Sequence, residues 1–377
     1  MALLPMAIIT LFWKDQIGLS LTEILFLQAI FSLATVIMEF PSGYLSDRIG
    51  YRKALFLASL LGISGWTSYT LATSFTGVLV AEIQLGMSYA FVSGADSALL
   101  YETLRQDGRE EEYAAYDGRM TAWAQVGEAS GAIGAGVFYA WFPLLPFLLQ
   151  IGIWLTALVV CYQLKETPSE PFEATHSHLR HAIEIARKAF WGHPGLRWSI
   201  ILAAFLGLAS FYPVWLIQPY MQEHGVPLAW FGPVWAVANL SVSLGSVTSY
   251  RLQFHLGPAG ILCLCAVLII AGYAGLGLTG TLWGFAFYFL LTFMRGIQGP
   301  FLRLVLQKQS ARPERASILS LKSLAFRLAF VITGPLVGAL ADNLGLQTAM
   351  IIMLGCFGAL LLPVMLVFHK RTVPVWQ

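Results

Sequence analysis

The chain has 377 residues, 57% of them hydrophobic and only 11% charged, with a formal net charge of +2. A soluble domain carries about a quarter charged residues, so a water-soluble globular protein is excluded. With no basic tract, nothing in this balance points to a nucleic-acid partner.

The apolar runs are continuous, whereas a barrel strand alternates over about ten residues, so the spanning elements are helices and the fold class is an all-α membrane bundle. About twelve spans are predicted, over 1–13, 22–42, 54–73, 77–103, 118–140, 146–164, 198–219, 228–249, 259–278, 281–304, 317–340 and 347–368. A helix of about 20 residues crosses a hydrocarbon core of about 30 Å. Met1–Trp13 is too short to cross alone and has neither the basic start nor the cleavage site of a signal peptide. It reads as the outer part of a truncated first span.

Between the second and third spans runs Gly43-Tyr44-Leu45-Ser46-Asp47-Arg48-Ile49-Gly50-Tyr51-Arg52-Lys53. Gly43 and Gly50 permit a tight turn, and Arg48, Arg52 and Lys53 mark the connection as cytoplasmic. Asp47, a lone carboxylate among three cations, reads as a salt-bridge lock. With this loop inside, the alternate loops hold Arg105, Arg109, Arg251, Lys308, Arg312 and Arg315, and the opposite side holds only Lys14. The tail, with Lys370 and Arg371, is then cytoplasmic.

The polar stretch Lys165–Arg197 divides the chain into six-helix domains, 1–164 and 198–377, joined by the linker 165–197. His178–Trp191 places Leu179, Ile183, Ala186 and Phe190 along one side, as in an amphipathic helix on the cytoplasmic membrane surface. The halves read as a diverged repeat, with Trp13 matching Trp215, Gly43 matching Gly245, and Gly94-Ala95 echoed by Gly296-Ile297.

A charge near the bilayer centre costs at least about 2.5–3.5 kcal/mol, so each needs a reason. The first half has Glu82 and Asp96 on the fourth span and Glu128 on the fifth; the second has Arg295 on the tenth, with Lys322 and Arg327 on the eleventh. Glu128 is either a proton or substrate site or a static partner of Arg327 or Lys322. Asp96 either binds a proton or substrate or locks a gate to Arg295. Arg295 could hold a carboxylate or phosphate with its planar fork. Glu82, in the outer half, is either a further proton or substrate site or simply hydrated.

No catalytic constellation, nucleotide-binding loop or cofactor motif stands out, so an enzyme is not expected. Cys161, Cys263, Cys265 and Cys356 fall inside apolar runs and suggest neither disulfide nor zinc. His176, His178 and His181 read as a solvated surface and not as a metal site. Trp66, Trp123, Tyr212, Trp215, Trp235 and Tyr288 are interfacial or packing aromatics, a few of which could face a substrate.

The spacing G-x-L-x-D-R-x-G-x-R-K between two spans resembles the loop joining the second and third helices of the major facilitator superfamily of secondary transporters. It departs from that pattern at Tyr51, where a second Arg is usual. The resemblance implies a central cavity lined by helices 1, 4, 7 and 10, with helices 2, 5, 8 and 11 between the halves. It assigns Asp47 and Arg48 to stabilising the outward-facing state across cytoplasmic helix ends, in a network with Glu102, Asp117 and Arg119. It is closest to the drug and metabolite exporters, which implies proton-exchange export of a small molecule across a bacterial inner membrane, by a protein acting as a monomer. Their Gly-Pro pair is missing from Ser130-Gly131-Ala132-Ile133-Gly134, and the basic second half suits uptake of an anionic or zwitterionic solute equally. An uncoupled facilitator, or a receptor or scaffold acting through the central segment, is the alternative.

Overall fold

The structure is a computed structural model that describes residues 3–166, 184–311 and 314–372. A short helical segment, Leu4–Ala7, Ile9–Leu11 and Phe12–Ile17, ends at Gly18 with φ +80°. Ten longer helices follow: α1 (Leu21–Ile49), α2 (Tyr51–Leu71), α3 (Phe75–Gln106), α4 (Tyr113–Trp141), α5 (Leu145–Gln163), α6 (Pro194–Glu223), α7 (Phe231–Leu278), α8 (Tyr288–Gln309), α9 (Arg315–Leu344) and α10 (Leu346–Thr372).

Among the described residues, nine segments are long and apolar enough to cross a membrane. One of them, Leu228–Leu278, has 51 residues, more than two crossings require. It breaks at Gly257, where φ is +64°, and Pro258 follows, so α7 has two limbs and serves as two spans. The N-terminal segment and α4, which carries Asp117, Arg119 and Glu128, bring the arrangement to the expected twelve. The all-α membrane fold read from the sequence is the fold found.

Local chemistry sets the helix ends. Ser20 and Glu23 form a reciprocal capping box at the start of α1, with Glu23 N donating to Ser20 Oγ at 3.2 Å and Ser20 N to Glu23 Oε2 at 2.9 Å. At α6, Pro194 takes a position where its missing N–H costs nothing, and Leu196 N donates to His193 Nδ1 at 3.1 Å. The expected loop Gly43–Lys53 is not a loop. α1 continues through Ile49, Gly50 alone turns the chain at φ +100°, and α2 starts at Tyr51. Pro41 lies inside α1 without ending it, and at Gly50 only glycine takes that φ without strain.

The chain forms two compact units, Met1–Ala174 with Pro227–Ala236, and Thr175–Val226 with Val237–Gln377. In the first, α3 packs on α1 and α2 through small residues, as helices do where no water drives association. Ser88 Oγ donates to the Ala58 carbonyl at 2.7 Å and Ser42 Oγ to that of Ala90 at 3.2 Å, around a core of Ala54, Ala58, Phe91 and Ala95.

In the second unit, α6 packs against α8, α9 and α10. α8 crosses the first limb of α7 at Gly245 and Gly296, backbone against backbone. Of the expected amphipathic helix, 178–183 lie outside the described residues, as do His176, His178 and His181. The remainder, 184–192, packs on the second unit, with Phe190 of the expected face partly buried there. Ile185 and Ala189 are buried against Leu196, Ile200, Leu306 and Ile318, and Lys188 Nζ pairs with Glu314 at 2.7 Å.

Candidate functional site

The second unit contains a cavity of about 290 Å³ between α6, α8 and α9. Its polar wall is Ser210, Arg295, Gln298, Lys322 and Ser323, closed on the apolar side by Phe211 and Phe326 among others, and among the described residues no carboxylate lines it. Arg295 is steadied from α6: its Nε donates to Ser210 Oγ at 3.2 Å and its Nη2 to the Ser210 carbonyl. That uses two of the five N–H donors of a guanidinium. Gln298, one turn along α8, is 7% exposed, and its buried Oε1 has no hydrogen-bond partner among the described residues. Such an orphan in a cavity wall is a group waiting for a ligand or water.

The expected cations therefore divide. Arg295 and Lys322 come together at one cavity, whereas Arg327, five residues beyond Lys322 and about 140° around the helix, does not line it. Gln298 and Ser210 were missed; uncharged side chains within apolar runs give no signal until the helix rotation is known.

The first-half carboxylates do not gather. Glu82 and Asp96 stand fourteen residues apart on α3, or about 21 Å of helix. Asp96 is half-buried and accepts from Ser97 N at 2.6 Å and Ser97 Oγ at 3.1 Å. Glu128, also half-buried, accepts from Trp235 Nε1 at 3.3 Å within the first unit. Glu82 overturns its hydrated reading. It is 3% exposed, and its Oε1 accepts from Gln28 Nε2 at 3.1 Å and from the Tyr69 hydroxyl. Those donors come from α1 and α2, which the local sequence around Glu82 does not show. Because Tyr69 is fully buried, Tyr69→Phe is expected to cost about 1–3 kcal/mol through the donor lost from Glu82. Thermal unfolding of the purified protein checks this.

The sequence profile of the Major Facilitator Superfamily matches residues 1–321. The chain belongs to the major facilitator superfamily. The MFS-type transporter YxaM of Bacillus subtilis strain 168 is 21% identical over 384 residues, covering 96% of this chain and 90% of its own. Among solved structures, a point mutant of the nucleoside transporter NupG superposes with TM-score 0.83 at 14% identity, covering 97% of this chain and 95% of its own. A POT family transporter in complex with 5-aminolevulinic acid gives TM-score 0.74 at 14% identity, with 99% and 93% covered. At such identities the structural likeness carries the fold. The protein is thus a multi-pass membrane transporter of this superfamily, with a small-molecule substrate.

The signature stretch Gly43–Lys53 takes a particular form here. Tyr51, at the place of the usual second Arg, donates its hydroxyl to Asp47 Oδ1 at 3.0 Å, so a phenol and not a cation meets the expected lock residue. Glu166, from the chain leaving α5, accepts from Arg52 N at 3.1 Å and caps the start of α2, where backbone N–H groups lack helical partners. Its Cδ stands 2.5 Å from where a Cβ on Gly50 would be. Arg52 also lies over the Tyr162 ring at 5.8 Å, while Arg48 and Lys53 are exposed. Glu102 pairs with Arg105 at 2.8 Å, both within electrostatic reach of the Tyr51 hydroxyl, whereas Arg119 sits over the Tyr116 ring at 5.5 Å. In the α3–α4 connection, hydrogen bonds from Arg109 hold the Glu112 carboxyl below its usual range.

Glu166 was missed because 114 residues separate it from Arg52. Glu166→Ala is expected to cost about 1 kcal/mol, as loss of a helix cap does. Gly50→Ala costs more, because it combines a forbidden φ with a clash on Glu166. Chemical unfolding of the two variants should rank them in that order.

Proposed function

We propose that this transporter exports a small anionic or zwitterionic solute in exchange for protons, by alternating access across the bacterial inner membrane. The cavity of the second unit carries this reading: Arg295 and Lys322 line it and, among the described residues, no carboxylate does. Three free guanidinium N–H groups match the lone pairs of a carboxylate or phosphate, and Lys322 adds a point charge. The Gln298 amide then serves a second polar group on the solute. A volume near the lower end of the ~300–1,000 Å³ usual for ligand pockets favours a small metabolite over a large drug.

For the proton, Glu128 and Asp96 are the assigned carriers. Both are half-buried on helices of the first unit, where a carboxyl can exchange a proton without water on every side. Glu82, held by Gln28 and Tyr69, serves packing. Asp47, Arg48, Gly50, Arg52, Lys53, Glu102 and Arg119 serve the cytoplasmic end of the conformational cycle.

In proteoliposomes, Glu128→Gln and Asp96→Asn are expected to keep exchange of labelled for unlabelled solute and to lose accumulation driven by a proton gradient. Wild-type accumulation in both variants removes proton coupling and leaves a facilitator.

A further inference from the structure

α6 contains Pro213 in its interior. Proline has no N–H, so the carbonyl four residues earlier, that of Ala209, loses its helical donor, and the ring pushes that carbonyl off the helix axis. Ala209 is fully buried, where an unpaired carbonyl is costly. The donor comes from another helix: the Tyr273 hydroxyl, on the second limb of α7, reaches the Ala209 oxygen at 2.7 Å. Tyr273 is itself fully buried, and its ring stacks on Phe357 of α10 at 5.3 Å, which fixes the hydroxyl in place. The next carbonyl, that of Ser210, accepts from Arg295 Nη2. Two donors from two helices thus hold the carbonyls beside Pro213, and one of them, Arg295, is a cavity cation.

We propose that the Pro213 bend of α6 is a hinge that senses the cavity's occupant, with Tyr273 as its fixed pin and Arg295 as its releasable one. The releasable pin rests on the anionic reading of the cavity given above. An anion that accepts from Arg295 competes with Ser210 for the same N–H groups, so occupancy loosens one pin while the other keeps α6 from unravelling. Gly207, Ser210 and Phe211 of the bent stretch line the cavity, so a change of bend reshapes its wall. Tyr273 is not a lining residue; it is a positioning residue that acts through α6.

The test uses the full chain in detergent. Tyr273→Phe is expected to lower Tm and to speed amide exchange across 205–215 about tenfold or more, the effect of orphaning a buried carbonyl. Adding Pro213→Ala should restore both, because the new Ala N–H takes the Ala209 carbonyl. Inorganic phosphate, as the anion probe, should raise exchange in that stretch of the wild type and leave Arg295→Gln unchanged. A double variant whose Tm loss equals the sum of the singles overturns the Tyr273 pin. Phosphate that raises Tm without altering α6 exchange overturns the releasable pin. If phosphate has no effect on either readout, the anionic reading of the cavity fails, and the rescue of Tyr273→Phe by Pro213→Ala alone decides whether the hinge stands.

Discussion

Arg295→Gln is expected to weaken solute binding about a hundredfold while leaving the protein folded. The substitution removes the charge-assisted hydrogen bonds that a carboxylate or phosphate would accept, worth about 3 kcal/mol together, and each 1.4 kcal/mol is tenfold in affinity. Gln keeps an amide that can still meet Ser210. Arg295→Lys preserves the charge but loses the fork, and should fall between the two, about tenfold weaker than wild type. Equilibrium binding, or the thermal shift from pooled anionic and cationic metabolites, measures both variants. Wild-type affinity in Arg295→Gln would place the solute outside this cavity.

The largest stability effect is expected at the crossing of α8 and the first limb of α7. A Cβ on Gly296 would run into the Val242 carbonyl and lie 2.9 Å from Ser246 N, and one on Gly245 would meet the Phe293 carbonyl and lie 3.1 Å from Gly296 Cα. Backbone cannot swing aside as a side chain does. The Ser249 hydroxyl, bonded to the Ile297 carbonyl at 2.9 Å, ties the helices together one turn further on. Gly296→Val should therefore cost about 3 kcal/mol or more, a large share of the ~5–15 kcal/mol that holds a typical protein folded. Loss of monodisperse protein on size exclusion, or a sharp fall in Tm, is the expected readout. Gly94 is the control. It holds the matching place in the sequence repeat, yet a Cβ there meets nothing within 4 Å, so Gly94→Ala should be nearly silent.

That contrast shows what a sequence can and cannot carry for this protein. The bilayer imposes a one-dimensional code of apolar length and flanking charge, so the helix count, the fold class and the superfamily were legible. Arg295 and Lys322 stood out because a cation within a span needs a reason. The matching glycines were equally visible, but which pair is a crossing depends on helix rotation. The same blindness hid the burial of Glu82, whose donors Gln28 and Tyr69 come from other helices, and the cap that Glu166 places on α2. It also hid Tyr273, an ordinary aromatic in an apolar run until the carbonyl freed by Pro213 is seen beneath its hydroxyl. The signature stretch was legible as a motif and misread as a loop, since a single glycine is enough to turn a helix.

Proton flux in proteoliposomes is the most direct test of the central claim. Protein is reconstituted with a pH dye inside, and pooled anionic and cationic metabolites and drugs are added outside. A solute-dependent pH change, present in wild type and lost in Glu128→Gln or Asp96→Asn, is the expected result, and its sign separates exchange from symport. Solute movement with no proton signal would contradict coupling and leave those carboxylates as structural groups.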